Sequence, residues 1–366
     1  MNSLKDAAYM HMAYSLAEKA LGQASPNPYV GALVVKNDVI IGHGYHEGAG
    51  KPHAEVLALK RAGRRAKGAV LYVTLEPCVH WGRTPPCIDT VLGAGLKRVV
   101  VSTLDPNPLV FRKGIREIRR SDIEVTVGVL EEKNKRLNES YAKYITRKIP
   151  SVTLKAALSL DGKIATKKFD SQWISSPPTR EYIHLVRGEY DALLVGLKTI
   201  LQDDPRLTVR HLNWPKKKIT RVILDAELRL PLRARVLSTL REGKIIVFTA
   251  TSAPLRKKEA LAKRGAEVVS LPGQLPLLDL KEVLARLGER EITSLLVEGG
   301  GEVATAFLEE KLADKILFTI SPCLIGGREA VSIFSGEGAD FIKDALSLKT
   351  VSSFRIGEDT LLEGYF

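Results

Sequence analysis

Twice along the 366 residues, short runs of β-branched and other apolar side chains alternate with helix-patterned segments, and the alternation restarts at Lys148-Ile149-Pro150. No other feature restricts the fold as tightly. Strand and helix in alternation build sheets covered by helices, and a proline ends one helix just where a fresh strand begins. In the first half the pattern predicts a helix over 4–21 stopped at Gly22 and a hairpin of strands 29–35 and 39–45 turning through Lys36-Asn37-Asp38. Helices over 52–62 and 86–94, strands over 69–75, 98–103 and 123–129, and one charged helix over 131–147 complete an α/β sandwich. The second half predicts strands over 152–158, 192–195, 221–224, 244–248, 267–269 and 294–297, with helices over 255–264 and 280–287. Its last strand runs into Gly299-Gly300-Gly301 and a helix through Glu309. Two α/β domains follow, 1–148 and 149–366, without an internal repeat; Lys216-Lys217-Lys218 is too short for a low-complexity segment.

With 45% apolar and 27% charged residues the chain can bury real cores, which excludes a disordered tail protein or a peptide scaffold. No apolar run approaches the roughly 18 residues a membrane span needs, and Met1 to Asp6 is polar. The expected location is cytoplasmic, with no membrane partner. Three cysteines cannot build a disulfide framework, so a cysteine pair points to metal. The formal charge of +13 is uneven: the first 150 residues carry 23 Lys and Arg against 14 Asp and Glu, the remainder 32 against 28. Such a cationic face steers phosphate-bearing substrates or polynucleotides, or is simply solvated. Aromatics are 6% and do not interleave with the basic runs, which argues against a single-strand stacking platform. Small phosphorylated molecules rather than nucleic acid are the expected partners, and a homo-oligomer is compatible with the sequence.

His53 in His53-Ala54-Glu55, and Cys78 and Cys87 flanking a Gly82-Arg83-Thr84 turn, are the candidate metal ligands. Two thiolates and an imidazole suit tetrahedral zinc, and three protein ligands leave one position open for water. Cys87 follows Pro86 at a helix start, where free backbone N–H groups favour the thiolate. Glu55, two residues beyond His53 in the first turn of a helix, is the candidate catalytic carboxylate that moves a proton from water to a leaving amine. His-x-Glu followed by Pro-Cys and a second Cys is the zinc deaminase signature; here eight residues rather than two separate the cysteines, and that insertion is expected to fold over the site. The alternative is a closed structural site with His80, His43 or His46 as fourth ligand and Glu55 on the surface.

Asn27-Pro28 with Val30-Gly31, His53-Ala54-Glu55, Thr74-Leu75-Glu76-Pro77-Cys78 and Gly82-Arg83-Thr84-Pro85-Pro86-Cys87 together resemble the deaminase domain of the bifunctional riboflavin biosynthesis (RibD) family. The resemblance implies a cytidine-deaminase-like α/β/α sandwich, zinc on His53, Cys78 and Cys87, Glu55 as proton shuttle and Asn27 at the pyrimidine. After Asp105-Pro106-Asn107-Pro108 the family usually continues with a Gly-rich turn; this chain has Phe111-Arg112-Lys113-Gly114, which sets basic side chains where bare backbone would approach the substrate phosphate.

In the second half, Val297-Glu298-Gly299-Gly300-Gly301-Glu302 reads as strand, glycines and helix start, an arrangement that cradles a phosphate or makes a tight turn. Ser159-Leu160-Asp161-Gly162-Lys163-Ile164-Ala165, Ser171-Gln172-Trp173-Ile174-Ser175, Asp203-Asp204-Pro205 with Leu207, Thr208 and Arg210, and Gly326-Gly327 are similar to the family's reductase domain, which implies a dihydrofolate-reductase-like fold. The resemblance places NADPH at Leu158, Trp173, Thr199, Asp203, Gly300, Gly301, Glu302, Val303, Ala304, Thr305 and Ala306, and the ribose-phosphate substrate at Ser171, Arg187, Leu207, Arg210 and Glu298. Arginine forks match phosphate oxygens in pairs. Lys155 and Asp161 are the candidates for the proton donor, Asp161-Gly162 being equally a turn signal. The implied activity is zinc-dependent hydrolytic deamination of 2,5-diamino-6-(5-phosphoribosylamino)pyrimidin-4(3H)-one, then NADPH-dependent reduction of the ribosyl chain of 5-amino-6-(5-phosphoribosylamino)uracil to ribityl. The alternatives are a tRNA or nucleoside deaminase with an appended domain and a zinc-stabilised binding module.

Overall fold

Apolar side chains on both faces of the central strands demand cover on both sides, and each half of the chain supplies it with its own helices. The computed structural model describes residues 2–210, 218–272 and 278–366, so Lys216 and Lys217 of the lysine run lie outside the described residues. The chain divides into two units, Met1–Lys148 and Ile149–Phe366.

The first unit runs α1 (Asn2–Glu18), β1 (Gly31–Lys36), β2 (Val39–Tyr45), α2 (Ala54–Ala62), β3 (Val70–Leu75), α3 (Cys87–Gly93), β4 (Arg98–Thr103), α4 (Lys113–Arg119), β5 (Glu124–Val127), α5 (Glu131–Leu137) and α6 (Glu139–Arg147). Its sheet has the order β2-β1-β3-β4-β5, antiparallel at β2-β1-β3 and parallel beyond. Asn37 and Asp38 both take left-handed φ, the requirement of the tight two-residue hairpin between β1 and β2. Strand alternation sends Leu33, Val35, Tyr72 and Val100 against Met10 and Ala13 of α1. It sends Ala32, Val34, Leu71 and Val73 the other way, against Ala54 and Ala58 of α2 and Val91 of α3. The result is the α/β/α sandwich.

The second unit runs β6 (Ser151–Ser159), β7 (Lys163–Ala165), α7 (Pro177–Glu189), β8 (Ala192–Gly196), α8 (Leu197–Asp203), β9 (Thr220–Leu224), β10 (Ile245–Ala250), α9 (Leu255–Lys263), β11 (Glu267–Leu271), α10 (Leu280–Gly288), β12 (Ser294–Val297), α11 (Gly301–Glu309), β13 (Lys315–Ser321), β14 (Val331–Ser332), β15 (Thr350–Ile356) and β16 (Asp359–Tyr365). The main sheet among the described residues is ordered β11-β10-β9-β8-β12-β6-β13-β16-β15; it is parallel up to β13 and closed by the antiparallel β13-β16-β15 edge. Ala192 and Leu194 of β8 face one core with Leu284 of α10 and Phe307 of α11, while Leu193 and Val195 face another with Ile183 and Val186 of α7. This is the dihydrofolate-reductase-like α/β domain.

The charged segment 131–147 forms two helices rather than one. The chain breaks at Asn138, whose side chain is turned inward to bond the Tyr29 backbone twice: it accepts from Tyr29 N at 2.7 Å and donates to Tyr29 O at 3.0 Å. Helices α4, α7 and α8 and strands β7, β13, β14, β15 and β16 are not among the elements the sequence pattern predicted. In α4 only Ile115 and Ile118 are apolar, and β15 is exposed along nearly its whole length, so neither carries a clean periodicity.

Candidate functional site

In the first unit three segments converge. His53 caps α2, Cys78 follows the carboxyl end of β3 after Pro77, and Cys87 opens α3. His53 Nδ1 lies 2.8 Å from Cys87 Sγ and 3.5 Å from Cys78 Sγ, and the sulfurs are 3.2 Å apart. The Cys87 backbone N–H donates to Cys78 Sγ at 3.2 Å, which favours a thiolate there. Hydrogen bonding from Cys87 pulls the Cys78 thiol down, and the same contact with burial pushes Cys87 up, because two adjacent sulfurs share the proton that a cation would displace. Glu55 is 3% exposed, and its Oε2 is buried without a hydrogen-bond partner among the described residues. Burial pushes its carboxyl up to about 7 against the pull of His53.

The insertion between the cysteines folds over the ligand as the sequence suggested: Thr84 Oγ1 is 3.0 Å from His53 Nε2. With that contact Nε2 is tied, and Nδ1 is left to face the sulfurs. None of His43, His46 and His80 joins the cluster among the described residues. His46 instead stacks edge-on to His53 at 5.1 Å, with Nε2 2.9 Å from Asn27 Nδ2 and Nδ1 3.3 Å from the Pro52 carbonyl. Asn27 is thereby brought beside the ligand set, on the loop that Asn138 holds. Glu76 accepts from the backbone N–H of Asp105 at 3.2 Å, Arg112 at 3.0 Å and Ile115 at 3.1 Å. The amides of Arg112 and Ile115 are therefore engaged in holding the Cys78 loop. Arg112 takes a left-handed φ of 61° there, where glycine would be unstrained.

In the second unit a cavity of about 1280 Å³ opens at the carboxyl ends of β8, β9 and β12, where an open α/β sheet binds its ligands. Its wall includes Trp173, Thr199, Asp203, Gly300, Gly301, Glu302, Val303, Thr305 and Ala306 of the expected cofactor set, and Ser171, Arg187, Leu207, Arg210 and Glu298 of the expected substrate set. Two expected cofactor residues do not reach it: Leu158 and Ala304 point into the hydrophobic core, because strand and helix periodicity turn them inward. The Arg187 fork is closed on Glu298, Nε to Oε1 at 2.7 Å and Nη2 to Oε2 at 2.6 Å, rather than spread toward the cavity. Burial opposes ionisation of Glu298, but Arg187 and Lys155 outweigh it and hold the carboxyl at about 2. Lys155 lines the cavity, its pKa lowered by burial. Asp161 does not line it: its carboxylate accepts from Ser159 Oγ at 2.6 Å, Ile325 N at 3.1 Å and Gly326 N at 2.8 Å, which makes it a loop anchor.

Residues 3–103 match the cytidine and deoxycytidylate deaminase zinc-binding region, and residues 150–362 match the RibD C-terminal domain. The riboflavin biosynthesis protein RibD of Aquifex aeolicus is 47% identical over 98% of this chain and 97% of its own, and that of Escherichia coli 36% identical over 98% and 99%. The chain belongs to the RibD family. Among solved structures, Acinetobacter baumannii RibD superposes with a TM-score of 0.87 at 36% identity over 98% of both chains. A Thermotoga maritima diaminohydroxyphosphoribosylaminopyrimidine deaminase/5-amino-6-(5-phosphoribosylamino)uracil reductase does so at 0.87 and 37% identity over 100% and 99%. The protein is a bifunctional deaminase and reductase of riboflavin biosynthesis, working with zinc and NADPH.

This RibD chain's residues fit both groups. Zinc bonds of about 2.0 Å to nitrogen and 2.3 Å to sulfur place tetrahedral N···S and S···S donors roughly 3.5 and 3.8 Å apart; here the three donors converge at 2.8, 3.5 and 3.2 Å, so they are gathered for one ion and spread to hold it. The partnerless Glu55 oxygen beside them is what an open metal site leaves for a water. At the glycine run, a Cβ on Gly299 would lie 2.8 Å from Val303 Cβ and one on Gly301 2.8 Å from the Ser332 carbonyl, so packing excludes side chains there. A Cβ on Gly300 would meet nothing within 4 Å, and its φ is −62°. Neither fold nor packing needs glycine at 300; the bare backbone at the start of α11 is free for a phosphate-bearing cofactor. Thr84, Glu76, His46 and Asn138 were not singled out for these roles by sequence reasoning. Thr84 and Glu76 lie inside the deaminase motifs, and that position is the only signal that could have found them.

Replacing Thr84 with Val removes the partner of His53 Nε2 and is expected to weaken zinc binding about 10–100-fold in a chelator competition, with the fold unchanged; unchanged affinity would show that Thr84 does not orient His53. Gly300→Ala is expected to fold normally while raising KM for NADPH about tenfold, equivalent to about 1.4 kcal/mol; an unchanged KM would remove Gly300 from the cofactor cradle.

Proposed function

We propose that residues 1–148 remove the exocyclic 2-amino group of 2,5-diamino-6-(5-phosphoribosylamino)pyrimidin-4(3H)-one, and that residues 149–366 reduce the ribosyl chain of the product, 5-amino-6-(5-phosphoribosylamino)uracil, to ribityl. The buried, partnerless Glu55 oxygen beside one imidazole and two thiols carries this reading. His53, Cys78 and Cys87 hold the metal, and Asn27 meets the pyrimidine. Zinc, when bound, supplies the Lewis acidity that makes a water nucleophilic near neutral pH. Glu55 takes the water's proton and returns it to the departing amine; water is consumed, ammonia leaves, and a ring carbonyl remains.

In the reductase unit, Trp173, Thr199, Asp203, Gly300 to Val303, Thr305 and Ala306 hold NADPH, with Glu302 steadied by its ion pair to Lys198. Ser171, Leu207 and Arg210 hold the ribose phosphate, and the Arg187 and Glu298 pair forms the wall behind it. NADPH, when bound, supplies the reducing equivalent. Lys155 stands on the same wall with an ammonium made more acidic by burial, which supports it over Asp161 as the proton source. Its partners are small pyrimidine phosphates rather than nucleic acid or membrane. A cytoplasmic location is supported by three unpaired cysteines, and no helix among the described residues is long and apolar enough to cross a membrane. The exposed edge strand β15, with Val351 58% and Phe354 40% exposed, supports a homo-oligomer joined there.

Glu55→Gln keeps the shape of the side chain without its charge. It is expected to lower ammonia release from the diaminopyrimidine phosphate about 10²–10⁴-fold while zinc content and NADPH oxidation with the deaminated substrate stay at wild-type levels. Undiminished ammonia release would take Glu55 out of the mechanism.

A further inference from the structure

His184 stands on α7 three residues before Arg187, so both side chains share the helix face that lines the reductase cavity. The Arg210 backbone N–H donates to His184 Nδ1 at 3.3 Å. An imidazole nitrogen that accepts carries no proton, so the neutral ring must bear its hydrogen on Nε2. Burial, followed by the charges of Arg187 and Arg210, holds this imidazole down at about 4, which keeps it neutral at pH 7. Nε2 in turn lies 3.5 Å from Arg210 Nη2. Both atoms are then donors, and two donors side by side do not satisfy each other; they converge on the place of a shared acceptor. Arg187 is neutralised by Glu298, whereas Arg210 has no carboxylate partner among the described residues and lies in the field of Arg187, Arg206 and Arg235, which lowers its pKa after burial does. With Arg187 neutralised, the guanidiniums of Arg206, Arg210 and Arg235 beside one cavity favour an anion between them.

We propose that His184 Nε2–H donates to the substrate phosphate alongside Arg210, so that imidazole and guanidinium together select the phosphorylated over the dephosphorylated pyrimidine. This rests on the reading of Arg210 as a phosphate ligand. A histidine does what a further lysine or arginine would do at greater cost: it adds a donor without adding a fourth full charge to the cluster, and its other nitrogen orients the Arg210 backbone.

The test uses the full-length zinc-loaded protein and steady-state NADPH oxidation with 5-amino-6-(5-phosphoribosylamino)uracil and with its dephosphorylated form. His184→Phe keeps the ring and removes both nitrogens. The expected result is a KM for the phosphorylated substrate about tenfold higher, a kcat within about twofold, no change with the dephosphorylated substrate, and substantial rescue by His184→Gln. Unchanged turnover of the dephosphorylated substrate reports that the reductase unit is folded. A KM unchanged in His184→Phe but raised in Arg210→Ala overturns the role of His184 and leaves the phosphate subsite standing. A KM unchanged in Arg210→Ala overturns the subsite and this inference with it. An equal rise with both substrates also overturns it, since the residue would then act on the fold alone.

Discussion

One half-buried imidazole, one half-buried thiol and one buried thiol within a few ångströms of each other are a poor way to end a hydrogen-bond network. The sulfurs compete for one proton, and Glu55 behind them has an oxygen with no partner among the described residues. A divalent cation resolves both conflicts, because it converts three competing groups into ligands and gives the carboxylate a water to address. Much of the first unit serves to bring these groups together. Pro77-Cys78 follows β3, α3 begins on Cys87, and α2 begins just after His53, so three chain segments meet at the carboxyl end of the sheet's central strand. Glu76 and Asn138, neither of them a ligand, hold the loops that make the meeting possible.

The second unit solves a different problem with similar means. Its cavity gathers cations that would repel one another in an apolar setting, and the closed Arg187–Glu298 pair removes one of them from the sum. What remains is a positive wall around Arg210 and a bare helix start at Gly300, both suited to phosphate. Here the fold contributes position and field, and the cofactor contributes the reducing chemistry.

Much of this was legible in the sequence for physical reasons. Strand 98–103 was read with its observed ends because its run of three valines favours strand, and strand 294–297 because the glycine run that follows it fixes where it stops. His53, Glu55, Cys78 and Cys87 were legible because metal chemistry restricts residue type and spacing. Less was legible where a side chain acts through geometry alone. Leu158 and Ala304 share their neighbourhood with true cavity residues, and only periodicity in three dimensions shows that they turn inward. The break at Asn138 was hidden because the charged flanks on either side both favour helix, and the long-range bond to Tyr29 that interrupts them leaves no local trace. The role of His184 depends on which of its nitrogens accepts, which no linear pattern records.

Zinc on the His53, Cys78 and Cys87 cluster is assigned to the amine-removing reaction and not to the reduction. The direct measurement is chelation: strip the metal from the full chain, then follow ammonia release from the diaminopyrimidine phosphate and NADPH oxidation with the deaminated substrate in the same sample. Ammonia release is expected to disappear and to return on adding one equivalent of zinc, while NADPH oxidation continues. Ammonia release that survives complete removal of the metal would contradict that assignment.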